Sequence, residues 1–216
     1  MMRKNFHEKL DNLSEELLKM GSMVEERVHK SVVALKEQDV EKAQEVIDGD
    51  DIIDDYEMKI EKQCVDLLAL QQPVARDLRQ IIAVSKINND LERIADLAQN
   101  IARIAEELST VEFVKPLVDI PKMSHAAQEM VRNSLDAFIE RDVELAKETA
   151  RRDSEVDQLD DQILRELLTY MLEDPKAIKQ GNRLMFASRY LERIADHATN
   201  ICEDVIYMIT SEQEHF

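Results

Sequence analysis

Between residues 84 and 108, apolar side chains recur in alternating steps of three and four: Val84, Ile87, Leu91, Ile94, Ala98, Ile101, Ala105 and Leu108. That spacing is the a/d seam of a helix packed in a left-handed bundle. It returns at an offset of 100, as Leu184, Ala187, Leu191, Ile194, Ala198, Ile201, Val205 and Met208. Followed along the whole chain, the periodicity predicts six helices, over residues 5–37, 40–70, 73–108, 122–141, 143–172 and 175–211. A loop at 109–121 carries Pro116 and Pro121. Prolines fall near helix starts, where the missing N–H costs nothing. Helices of about 30 residues are roughly 45 Å long, so an elongated molecule is expected.

The pattern is duplicated. Leu91-Glu92-Arg93-Ile94-Ala95-Asp96 recurs letter for letter as Leu191-Glu192-Arg193-Ile194-Ala195-Asp196, and Ala98, Asn100 and Ile101 match Ala198, Asn200 and Ile201. Upstream, Glu37-Gln38-Asp39-Val40-Glu41 matches Glu140-Arg141-Asp142-Val143-Glu144 at an offset of 103. Asp39 and Asp142 are the expected N-caps there. An internal repeat of this kind means two similar units. The expected architecture is all-α: a tandem repeat of two antiparallel three-helix bundles, over residues 1–108 and 122–216, with 109–121 as linker.

Composition agrees. Only 3 Gly and 4 Pro punctuate 216 residues, and aromatics are 4%. Charge adds more. The formal net charge is −18, so a nucleic-acid backbone would be repelled, and metal cations or a basic partner surface fit better. The first eight residues hold no apolar signal segment, and no apolar run approaches a membrane span, so a cytoplasmic protein without membrane insertion is expected. Cys64 and Cys202 sit among apolar helical positions and are expected to be buried free thiols.

With Leu91 at a and Ile94 at d, Glu92 falls at b and Asp96 at f, both away from the seam. Standing at i and i+4 they share a face, and their like charges cost a helix roughly 0.2–0.5 kcal/mol. A hard cation held between them would remove that cost. Asp50 with Asp54, and Asp153 with Asp157, form similar pairs on the second helix of each half, on the flank of the seam. Adjacent antiparallel helices can bring two flanks together, giving four carboxylates at one place, twice over. A solvated acidic face is the competing reading: in a chain with 46 acidic residues, pairs such as Asp51/Asp55 arise without purpose. What distinguishes the four pairs is their recurrence in both halves.

Catalytic readings have less support. A carboxylate-bridged di-metal enzyme or metal store would want Glu-x-x-His motifs inside a core. Here Glu26 with His29 and Glu212 with His215 have the spacing. His197 follows Asp196, but Leu97 stands at its place in the first half, and a phosphoacceptor role for His197 stays open. No Gly-rich phosphate loop is present.

The chain resembles the PhoU family of phosphate-uptake regulators over essentially its whole length. The marks are Gln72-Pro73-Val74-Ala75-Arg76-Asp77-Leu78-Arg79, the two Leu-Glu-Arg-Ile-Ala-Asp blocks with their following Ala and Asn-Ile, and the acidic pairs. The resemblance implies multinuclear metal sites (Fe, Zn, Mn or Mg) on Asp50, Asp54, Glu92, Asp96, Asp153, Asp157, Glu192 and Asp196. It implies a non-enzymatic negative regulator of phosphate transport and of the phosphate-starvation response. The partners it implies are the ATPase of a phosphate ABC transporter and a sensor histidine kinase. A homodimer is the expected assembly. Arg76 and Arg79 are candidate partner contacts, against a simpler role in charge pairing near a helix start. The second half departs from the family pattern here, with Asp174-Pro175-Lys176-Ala177-Ile178 in place of the Arg-bearing stretch.

Overall fold

The computed structural model describes residues 2–216, with side chains from Phe6 onward; Met1 of the N-terminal stretch read above lies outside the described residues. The described chain is all-α. The helices are α1 (Met2–Glu37), α2 (Val40–Asp48), α3 (Asp50–Gln71), α4 (Ala75–Leu108), α5 (Asp119–Glu140), α6 (Val143–Arg151), α7 (Asp153–Glu173) and α8 (Ile178–Thr210). A single 3-10 turn, Pro175–Ala177, leads into α8.

Two predicted helices are broken. The segment expected at 40–70 divides at Gly49 into α2 and α3, and that expected at 143–172 divides at Arg152 into α6 and α7. The reason the break escapes the hydrophobic pattern is that it preserves phase. Val46, Ile53 and Ile60 run through it in steps of seven and are each no more than 2% exposed. Short i→i+3 bonds, Ile52 N–H to the Gly49 carbonyl and Glu155 N–H to the Arg152 carbonyl, carry the chain across. A smaller correction concerns α5, which starts at Asp119 inside the expected loop. Pro121 lies in its first turn, where proline is tolerated.

In each half the third helix is the spine. α4 packs on α1, α2 and α3; α8 packs on α5, α6 and α7. The sixteen seam residues of α4 and α8 are all 1% exposed or less, as their spacing requires. The halves meet chiefly along α4 and α8, and also α1 against α5. Lys86 Nζ bonds Asp204 Oδ1 at 2.7 Å across this junction, and His197 Nδ1 bonds Asp90 Oδ1 at 2.8 Å. No helix among the described residues is long and apolar enough to cross a membrane.

Both expected N-caps form. Asp39 accepts from Lys42 N–H at 3.0 Å, and Asp142 accepts from Glu144 and Leu145 N–H at 2.9 and 3.1 Å. Asp142→Ala strips two orphan amides of their acceptor and should cost about 1 kcal/mol. Thermal unfolding should register this as a fall in Tm of about 2–4 °C; an unchanged Tm would mean water replaces the cap without loss.

Candidate metal centres at the two helix breaks

The breaks place acids. A new helix begins at Asp50 and at Asp153, so each carboxylate stands in the first turn of α3 or α7, at the positive end of the helix. Each break also lies against the spine helix of its half. As a result Arg27 of α1 feels the charges of Asp50, Asp54 and Asp96, and Glu92 feels Asp96, Glu57 and Asp54. In the second half Asp153 feels Asp196 and Asp157, and Glu192 feels Asp196, Asp160 and Asp157. The four carboxylates expected together in each half are therefore within reach of one another's field. Glu57 and Asp160 join them, a fifth acid in each half outside the i, i+4 pairs. They stand at an offset of 103 and one turn beyond Asp54 and Asp157, so the duplication itself carried the signal.

Asp54, Asp157 and Asp196 are exposed, as expected of side chains facing outward, but for the two glutamates that expectation is corrected. Glu192 is only 9% exposed, and Glu92 is half-buried. A b position lies off the seam of a two-helix pair, but α4 and α8 have several neighbours, and α3 and α7 cover this flank. Burial has an electrostatic consequence. Desolvation, reinforced by Asp196 and Asp157, pushes the Asp153 carboxyl up to about 6. Desolvation, with Asp196 as the nearest like charge, pushes Glu192 up to about 7. Glu92 and Asp50 are raised for the same reason, burial first, though Arg27 opposes it at Asp50.

The two clusters differ in their counter-charges. In the first half Arg27 Nη2 bonds Asp50 Oδ1 at 2.7 Å, and Gln99 Nε2 bonds Asp50 Oδ2 at 2.7 Å. Both oxygens of Asp50 are thereby held, from α1 and from α4. Gly49 makes room: a β-carbon there would meet Arg27 Nη1 at 3.4 Å and the Glu45 carbonyl at 3.1 Å. Arg93 lies 3.2 Å from Asp96 Oδ2 and 3.3 Å from Glu92 Oε2, the latter a charge contact without hydrogen-bond geometry. In the second half Arg189 Nη1 forms an ion pair with Glu192 Oε1 at 2.9 Å, and Ser188 donates to Asp160 Oδ1 at 2.5 Å. Asp153 Oδ1 and Glu192 Oε2 are buried without any donor, as is Glu92 Oε2.

Among the described residues, no three Asp, Glu, His or Cys side chains converge on one point as they stand. The donor chemistry nonetheless suits a hard cation. Buried carboxylate oxygens without partners are costly, and a cation is the partner that would satisfy several at once.

Other candidates fall outside these clusters. His29 is exposed and His215 pairs with Glu203 beyond the end of α8, so neither Glu-x-x-His motif faces a core. His197 bonds Asp90 on α4. Cys64 and Cys202 are buried free thiols, and burial pushes both up to about 12. Arg79 donates from Nε to the Met208 carbonyl near the end of α8, at 3.3 Å, while Arg76 is exposed.

The duplication and fold have counterparts among known proteins. The family model described as the PhoU domain matches twice, over residues 17–105 and 120–205. A relative from Clostridium acetobutylicum, named a phosphate-specific transport system accessory protein PhoU homolog, is 42% identical over 99% of this chain and 98% of its own. The crystal structure of PhoU from Pseudomonas aeruginosa superposes with a TM-score of 0.92 at 43% identity, covering 96% of this chain and 100% of that one. That of the phosphate transport system regulatory protein PhoU from Streptococcus pneumoniae gives 0.91 at 29% identity, covering 98% and 100%. These names are those of accessory and regulatory proteins rather than enzymes, in line with the expectation from the sequence. Matched in both of its halves and along nearly its full length, the chain belongs to the PhoU family, whose members act as accessory proteins of phosphate transport.

Proposed function

We propose that this chain is a metal-binding adaptor that restrains phosphate uptake and the phosphate-starvation response. It docks on the ATPase of a phosphate ABC transporter and on a sensor histidine kinase in the cytoplasm, and carries hard cations such as Fe, Mn, Zn or Mg on its two carboxylate clusters. The observation that carries the metal part is the pair of buried oxygens Glu92 Oε2 and Glu192 Oε2, without donors at matching places in both halves, joined in the second half by Asp153 Oδ1. Family membership supports the regulatory part. Arg76, exposed beside the start of α4, is the better candidate for a partner contact, since Arg79 is engaged with α8. A homodimer remains the expected assembly, to be read by light scattering.

Two experiments test the proposal. Loss of the gene should release a phosphate-starvation reporter while phosphate is plentiful, and the intact gene should restore repression. Continued repression without the gene would end the regulatory reading. In vitro, a cation that binds only the folded chain must stabilise it, by about 2.7 kcal/mol at a hundredfold excess over Kd. That corresponds to a rise in Tm of about 5–10 °C for a chain of this size. No shift with Fe, Mn, Zn or Mg would count against the clusters as metal sites. A di-metal enzyme, the rival, would show turnover lost in Glu92→Ala with Glu192→Ala.

A further inference from the structure

We propose that the two clusters are inequivalent cation sites: the second-half cluster, on Asp153, Asp157, Glu192 and Asp196, loads first, and the first-half cluster is held shut by Arg27. The inference rests on the metal-binding reading above and adds an order to it.

The argument is a comparison of twin positions. Ser31 and Ser134, both buried and both bonding the carbonyl three residues back, place α1 on α5 at an offset of 103. At that offset the twin of Arg27 is Met130, fully buried and uncharged. Along α4 and α8, at an offset of 100, the twin of Gln99 is Thr199. Both groups that hold Asp50 are thus missing opposite Asp153. Thr199 is 7% exposed and its hydroxyl has no partner. Thr149, four residues before Asp153, is 1% exposed and its hydroxyl is equally unpartnered. Val46 holds the twin position in the first half. The second half therefore has two unpartnered buried carboxylate oxygens, Asp153 Oδ1 and Glu192 Oε2, with Thr149 and Thr199 within four residues of its acids in the chain, while the first half has one, Glu92 Oε2, and an internal cation and an amide on Asp50.

An incoming cation at the first cluster must displace a buried guanidinium from Asp50 or bind beside it against like charge. No buried guanidinium stands at the second cluster, where the twin position holds Met130. A guanidinium on the carboxylate also occupies the lone pairs a metal would use. Arg189 opposes loading at Glu192, but it is a surface group, its side chain 60% exposed against 10% for Arg27. Water screens it and its release costs little.

Titration of the metal-free full chain with Mn2+ by calorimetry, with bound Mn2+ counted by electron paramagnetic resonance, reads the order directly. Wild type should bind in two steps whose dissociation constants differ by at least about tenfold. Asp153→Asn should remove the tighter step and Asp50→Asn should leave it. Arg27→Met, which copies the second-half twin, should tighten the weaker step and bring the two together. Circular dichroism establishes that each variant is folded. If Arg27→Met does not fold, the two aspartate variants decide alone. Two steps of equal affinity, or loss of the tighter step in Asp50→Asn, would overturn the order while leaving metal binding intact. Absence of Mn2+ binding in wild type would overturn both.

Discussion

Asp50→Ala should lower the stability of the metal-free chain by about 3 kcal/mol, while its twin change, Asp153→Ala, should leave stability unchanged or raise it. Asp50 is the acceptor for a guanidinium whose residue is only 8% exposed. Removing one member of a buried pair strands the other charge, at a cost of about 3–5 kcal/mol. Arg27 retains the fields of Asp54 and Asp96, which puts the loss at the lower end. Asp153 has no such cation, and its Oδ1 is buried without a donor, so its removal relieves a desolvated charge. Urea unfolding of the two variants measures the contrast. Equal losses would mean that Asp153 is stabilised by something other than an ion pair. The Arg27–Asp50 pair itself need not be a net gain: burial lowers the arginine and raises the aspartate, each against the pull of its partner. Arg27→Met combined with Asp50→Ala should therefore cost less than either change alone.

The second large effect is with pH. Carboxylates paired with lysine or arginine give stability that is lost in acid, but Glu192 has the opposite sign. Its folded value is raised to about 7 from an ordinary 4.5, by burial first and then by Asp196. The folded chain binds that proton more tightly than the unfolded one, so stability rises as pH falls from about 7 towards 4.5 and is lost again on raising it. At 1.36 kcal/mol per unit the effect of Glu192 is about 3 kcal/mol. Asp153, raised to about 6 from 3.8, acts in the same direction in an overlapping window. Conventional acid loss through Glu16, Glu26 and Glu129, all lowered by hydrogen bonds from lysine or arginine, sets in only below that window. Glu192→Gln should flatten the profile and raise stability above neutral pH by a similar amount. A wild-type chain that loses stability between 7 and 4.5 would show that the Arg189 pair outweighs the burial of Glu192. A bound cation, by taking the proton's place, should shift the gain to lower pH.

How much of this could be read in advance divides along one line, the distance in sequence over which a cause acts. Helix periodicity is local, so the seams at Leu91 and Ile94, and at Leu191 and Ile194, were legible, and so were the N-caps Asp39 and Asp142. Duplication is a property of the string, and it set the four i, i+4 carboxylate pairs apart from other acidic pairs such as Asp51/Asp55. Glu57 and Asp160 are legible by the same device, although they fall at i+3 rather than i+4 from Asp54 and Asp157 and so outside the paired spacing. The break at Gly49 and Arg152 was not legible. A one-residue interruption closed by i→i+3 bonds leaves the phase of Val46, Ile53 and Ile60 intact, so the hydrophobic pattern cannot register it.

The sequence by itself determined the helices, their seams, the twofold repeat and the four acidic pairs, because each depends on residues within a few turns or on matching of the string. Tertiary structure alone decided what those acids are. It buried Glu192 under α7, set Arg27 against Asp50 across 23 residues, and left Asp153 without a counter-ion. The physical reason is that a carboxylate's energy depends on the dielectric and the charges within a few ångströms. Those are supplied by other helices, and two identical hexapeptides can be given different ones.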